Sequence, residues 1–171
     1  MITVEINDAQ IAQAFRQLEA ALTDMTQPMR DIGEALVIST KDRMREGNSP
    51  DGSPFAPRSA TTLRAYEKRK AKHGPKPLWL TGTMREQIAY SAATDQVEIT
   101  SSAIQSAVMH FGAAQGAFGA WMGKDRLGRT HFHHIPWGNI PARPFLGISE
   151  QDRTNIIEIV AEWLESAAKS P

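Results

Sequence analysis

Apolar and polar residues change period several times along this chain, and each change marks a boundary. Ile2, Val4 and Ile6 alternate with Thr3 and Glu5, which is the pattern of a half-buried strand. Asn7 or Asp8 then offers a helix cap. Ile11, Phe15, Leu18 and Leu22 recur at helical spacing, so one stripe is expected to face a core while Gln13, Arg16, Gln17 and Glu19 face water. A second helix is expected from Pro28, a good first-turn residue. Its stripe is Met29, Ile32, Leu36, Thr40 and Met44, and Gly47 is placed to end it.

Asn48 to Pro57 carries three prolines and the turn pair Asp51-Gly52, so it reads as a loop, about 47–58, with Phe55 tucking it onto the body. Ser59 caps a third expected helix, from Ala60 to about Lys72. Only Leu63 and Tyr66 point inward there, which makes it a surface element. After the break Gly74-Pro75-Lys76-Pro77 comes a short apolar run, Leu78 to Gly82, with Thr83 capping a single turn around Met84–Gln87. Ile88, Tyr90 and Ala92 alternate, Thr94-Asp95-Gln96 turns the chain, and Val97 to Thr100 returns, so an antiparallel hairpin is expected. A short helix over Ala103–Phe111, with Ile104, Ala107, Val108 and Phe111 on one side, is stopped by Gly112. Five glycines punctuate the stretch from Gly112 to Gly128, and it is expected to be a long, mobile loop, about 112–130. His131 to Trp137 reads as extended.

The chain then reaches Ile140–Asp152, IPARPFLGISEQD, around which the rest looks organised. Pro141 and Pro144 fix φ and remove two donors, so the segment is extended. Ser149 and Asp152 cap the last helix, about Glu150 to Ala168, whose stripe is Ile156, Ile159, Val160, Trp163, Leu164 and Ala167. Arg143 and Phe145 lie on one side of the arm by the period-2 rule. Phe145 is expected to be buried against that helix, and Arg143 to pair with a carboxylate or backbone carbonyls.

These elements make a single α+β domain, 1–171, with an antiparallel sheet flanked by helices and long Gly/Pro-rich loops. The 19 basic and 19 acidic side chains cancel, so the net field gives no general pull toward nucleic acid or membrane. With no cysteine, there is no disulfide, thiolate metal site or cysteine nucleophile. No apolar run approaches the ~18–20 residues of a membrane span, and the protein is expected to be made and used in a cytoplasm.

Two groups could carry chemistry or binding. His131 and His133 would point to one side of a strand, the minimum for a two-imidazole metal site, with His110 and Asp125 as further ligands. The run His133 to Asn139 also resembles ββα-metal nucleases, but no histidine follows His134 to complete such a site. Surface or interface histidines are the plainer reading, and no cofactor is expected. The second group is the basic segment 64–76, with Arg64, Lys68, Arg69, Lys70 and Lys72, which suits a phosphate backbone or an acidic partner.

Four ordered blocks, Ser49-Pro50-Asp51-Gly52 with Phe55-Ala56-Pro57 and Thr61, Leu80 to Met84, His110-Phe111-Gly112, and Ile140 to Gly147, resemble the phage virion morphogenesis family. These are the tail-completion proteins of Mu-like and related contractile-tailed phages. The family often has Trp where this chain has Phe55. The resemblance implies a non-enzymatic structural protein of the virion neck or tail terminus, made in the host bacterial cytoplasm. It implies a homo-oligomeric ring that meets tail-tube or terminator proteins and head-connector proteins, with DNA passing its lumen. Phe55, Arg64, Lys68, Arg69, Lys70, Lys72, Arg143 and Phe145 are the candidate contact residues. A DNA-binding module on the basic segment and a histidine-based metal-dependent nuclease are the alternatives.

Overall fold

A computed structural model describes residues 9–70, 74, 76–124 and 127–169. In chain order its elements are α1 (Ala9–Thr23), α2 (Thr26–Glu46), α3 (Ala60–Lys68), α4 (Thr83–Glu86), β1 (Ile88–Ala92), β2 (Val97–Ser101), α5 (Ser106–Phe111), β3 (Ala120–Lys124), β4 (Thr130–His134) and α6 (Glu150–Lys169). The fold is mixed α+β, and its strands form two separate two-stranded antiparallel ribbons, β1-β2 and β3-β4. The strand expected at Ile2–Ile6, the caps Asn7 and Asp8, Lys72, Pro75 and Asp125 lie outside the described residues.

The chain divides into two compact units. The first holds α1, α2 as far as Ile38, the hairpin between Ala89 and Thr100, and α6. Asp24 accepts the amide hydrogen of Thr26 at 2.9 Å, which opens α2 with an Asx-type turn. Ile32 and Leu36 are buried, as the helical stripe requires. The Tyr90 ring lies directly on Gly33, and its hydroxyl donates to Glu34 at 3.2 Å. Helix α6 keeps Ile156, Ile159, Val160, Trp163 and Leu164 half-buried, and α1 packs against it. Asp152 is buried in the first turn of α6, where the helix dipole favours its charge. One expectation fails here. Ile11, Phe15 and Leu22 are 52, 66 and 56% exposed, so the stripe of α1 exists but is not covered by the described residues.

The second unit holds the rest of α2, the loop after it, α3 to α5, the β3-β4 ribbon and the arm up to Ser149. Its buried apolar residues include Met44, Phe55, Leu78, Met84, Ile88, Ala103 and Phe145. The loop after Gly47 is knitted rather than open: Asn48 bridges Pro54, and Asp51 accepts from the Ser53 amide at 2.9 Å. Helix α3 is capped by Ser59, which accepts from the Thr62 amide at 3.1 Å, and buries no residue. It ends at Lys68, short of the expected Lys72, because Lys70 turns to φ 49° and no apolar stripe continues past Tyr66. The turn at α4 is capped by Gly82, not Thr83. Helix α5 starts at Ser106 rather than Ala103, leaving Ile104 and Phe111 exposed. The expected long loop 112–130 is the largest correction: it contains β3, which pairs with β4 from Ala120↔His134 to Lys124↔Thr130.

Candidate functional site

Three of the four motif blocks meet in a brace, and an exposed surface lies between two of them in sequence. At the centre of the brace is Arg143, 6% exposed, delivered by the proline-stiffened arm. Its Nε donates to the Ala56 carbonyl at 2.7 Å, and its Nη2 to the Pro57 carbonyl at 2.8 Å. Nη1 donates to Pro141 of its own arm at 3.3 Å. One planar fork thus ties the loop block Phe55-Ala56-Pro57 to the arm, using the donor geometry that a lysine lacks. Burial, and then the charge of Arg58, lowers the Arg143 pKa from its ordinary value.

The third block joins the same arm through the backbone. Ala113 and Ile140 exchange both amide hydrogen bonds, at 2.9 and 2.8 Å, and the Arg143 amide donates to the Met109 carbonyl at 2.8 Å. Gly112 makes this approach feasible. It sits at φ 76°, and a Cβ there would lie 2.6 Å from the Ile140 carbonyl oxygen. Phe145 is fully buried, with the His110 ring edge-on at 5.3 Å. Burial lowers the His110 pKa, and its Nδ1 is enclosed with no hydrogen-bond partner. The arm is also held from α2, where Arg43 donates to the Gly147 carbonyl at 3.0 Å.

Phe55, Arg143 and Phe145 are therefore placed inside the second unit, where they hold its parts together. Arg64, Lys68, Arg69 and Lys70 stand exposed on α3 and just beyond it, and Lys72 lies outside the described residues. A second arginine fork escaped the sequence reading. Arg58 donates to the carbonyls of Gly74, Lys76 and Trp79, and lies 5.9 Å above the Tyr66 ring centre. An arginine directly after a proline-rich loop and before a helix cap was the available signal.

The surface is the β3-β4 ribbon. Phe118, Trp121, Met122, Phe132 and Trp137 are 57–77% exposed along it. Adjacent strand residues face opposite sides, so Trp121 with its register partner His133 lies on one face, and Met122 with Phe132 on the other. His133 stacks on Trp121 at 5.6 Å and 27°, with Trp137 at 6.2 Å and His131 at 6.3 Å from it. Gly123 leaves room for the Trp121 ring, which a Cβ would meet at 2.5 Å. The sequence pairing of His131 and His133 on one side thus holds, within an aromatic row. No group of three or more His, Cys, Asp or Glu able to hold a metal occurs among the described residues. Nor is any helix there long and apolar enough to cross a membrane.

Neither a curated protein nor a solved structure matches this chain. A family model does, over residues 6–165, a span that takes in the Arg143 brace, the Gly112 crossing and the ribbon between them. The chain belongs to the phage virion morphogenesis family, and its role is in phage morphogenesis.

Proposed function

We propose that the chain is a structural, non-enzymatic subunit of the phage tail terminus or neck, required to complete the tail and join it to a DNA-filled head. The observation that carries this reading is the ribbon: large apolar side chains exposed on both faces of a two-stranded sheet, projecting from a braced body. Such patches mark protein-protein contact. A ring of copies would meet tail-tube or terminator proteins on one side and head-connector proteins on the other. The exposed Arg64, Lys68, Arg69 and Lys70 would suit the phosphates of DNA in its lumen.

The test is a phage carrying a nonsense codon in this gene, complemented from a plasmid and viewed by negative-stain microscopy. Without the protein, filled heads and unjoined tails should accumulate, and wild-type plasmid should restore joined particles. Normal joined particles without the protein would overturn the reading. So would metal-dependent DNA cleavage by the purified chain.

A further inference from the structure

We propose that the β3-β4 ribbon is an arm that packs onto the α1/α6 helix pair of a second copy of this chain. The inference rests on the assembly reading above and names the partner that the arm takes. Area is the first argument. Phe118, Trp121, Met122, Phe132 and Trp137, at 57, 60, 59, 73 and 77% exposure, present on the order of 800 Å² of largely apolar surface, shared between the two opposite faces of the ribbon. Either face thus offers a patch of a few hundred Å², the size that marks a contact surface on a folded protein. A two-stranded ribbon is also marginally stable when nothing covers it, so an arm of this kind gains order from the surface it meets.

The same chain carries an acceptor. Helix α1 exposes Ile11, Phe15 and Leu22 at 52, 66 and 56%, and α6, against which it packs, exposes Ile157 at 68%. The two surfaces are opposite in charge. From Ala120 to His134 the sequence carries Lys124, Arg126 and Arg129 against the single carboxylate Asp125, besides three histidines. Helix α6 bears five carboxylates against two cations. Glu158, Glu162 and Glu165 are all exposed and fall at i, i+4 and i+7, along one face. A cationic aromatic arm and an acid-flanked apolar helix pair are complementary in polarity and sign. Because the two surfaces differ, the contact is head-to-tail, and repeating it generates a ring wherever the rotation closes.

The test uses the full chain. Equal amounts of ¹⁴N- and ¹⁵N-labelled protein are mixed, treated with a zero-length carbodiimide and mapped by mass spectrometry, which separates links between copies from links within one. Lys124 should join to Glu158, Glu162 or Glu165 in mixed-isotope pairs. In parallel, sedimentation measures self-association. Lys124→Glu alone and Glu158→Lys/Glu162→Lys alone should each weaken it by roughly tenfold or more, and the combined chain should recover it. Circular dichroism of each variant checks that it is folded.

A monomeric wild-type chain at every concentration overturns the proposal. So does an oligomer indifferent to both reversals, or one whose mixed-isotope links never include Lys124. An arm that instead binds single-stranded oligonucleotide, lost in Trp121→Ala while self-association is unchanged, makes it a base-stacking platform and also overturns it. Any of these results leaves the morphogenesis role standing if the complemented phage still joins heads to tails. Loss of that role, conversely, does not alter what the purified chain reports of its self-contact.

Discussion

Replacing Arg143 by lysine keeps the charge and removes the fork. The native guanidinium serves three carbonyls, at 2.7, 2.8 and 3.3 Å, from a position 6% exposed. A lysine ammonium is a compact group that cannot span the Ala56 and Pro57 oxygens in the same plane. Each hydrogen bond to a charged donor contributes about 1.5–3 kcal/mol, and a carbonyl left without a donor costs about 1–3 where water cannot replace it. Ala56 is half-buried and Pro57 exposed, so water recovers part of this loss. The expected cost of Arg143→Lys is therefore about 2–4 kcal/mol, out of about 5–15 for a whole domain. Urea unfolding followed by tryptophan fluorescence reads it well, because Trp79, Trp121 and Trp137 all belong to the second unit. Trp163→Phe removes the signal from the first unit. The midpoint should fall by ~1–2 M. A shift under about 0.5 kcal/mol, the range of a surface substitution, would refute the brace.

Two further outcomes follow from the same region. Gly112→Ala, which meets the Ile140 oxygen and a φ of 76°, should cost about 1–3 kcal/mol and speed hydrogen exchange at the paired amides of Ala113 and Ile140. For His110, burial holds the folded pKa below 6.5, so the unfolded chain binds a proton that the folded chain resists. Its contribution is intact above 6.5 and is lost as pH falls from there toward the lower folded value, so His110→Gln should flatten that part of a melting-temperature profile.

Much of the fold was legible because its signals are local. The stripe Met29, Ile32, Leu36, Thr40, Met44 and the stop at Gly47 predict α2, and the last four stripe residues are buried while Met29 is half-buried. Phe145 and Arg143 were placed on one side of an extended arm by the period of a strand, and both are buried, with backbone carbonyls as the arginine's partners. The β3-β4 ribbon was illegible for a physical reason. Strand recognition relies on one apolar and one polar face, and here Trp121 and Met122 point oppositely while both stay apolar. The exposure of α1 was hidden for another. Helical spacing shows that an apolar face exists, but what covers it is set by residues far away in sequence, or by another molecule.

That distinction separates the two kinds of residue this chain uses. Three of the four blocks that carry the family resemblance, those with Phe55-Ala56-Pro57, Gly112 and Ala142-Arg143-Pro144-Phe145, meet one another inside the second unit. Their identities follow from internal demands: a fork for two carbonyls, a position with no room for a Cβ, a fully enclosed ring. The ribbon lies between two of those blocks in sequence, and the Gly112 crossing and Ile140 pin its ends by the Ala113–Ile140 pair. The body therefore fixes where the ribbon leaves, while the ribbon's own side chains answer to whatever they meet. Substitutions in the brace should change stability first and assembly as a consequence. Substitutions such as Lys124→Glu, on an exposed strand residue, should change assembly with the melting of the isolated chain nearly unaltered.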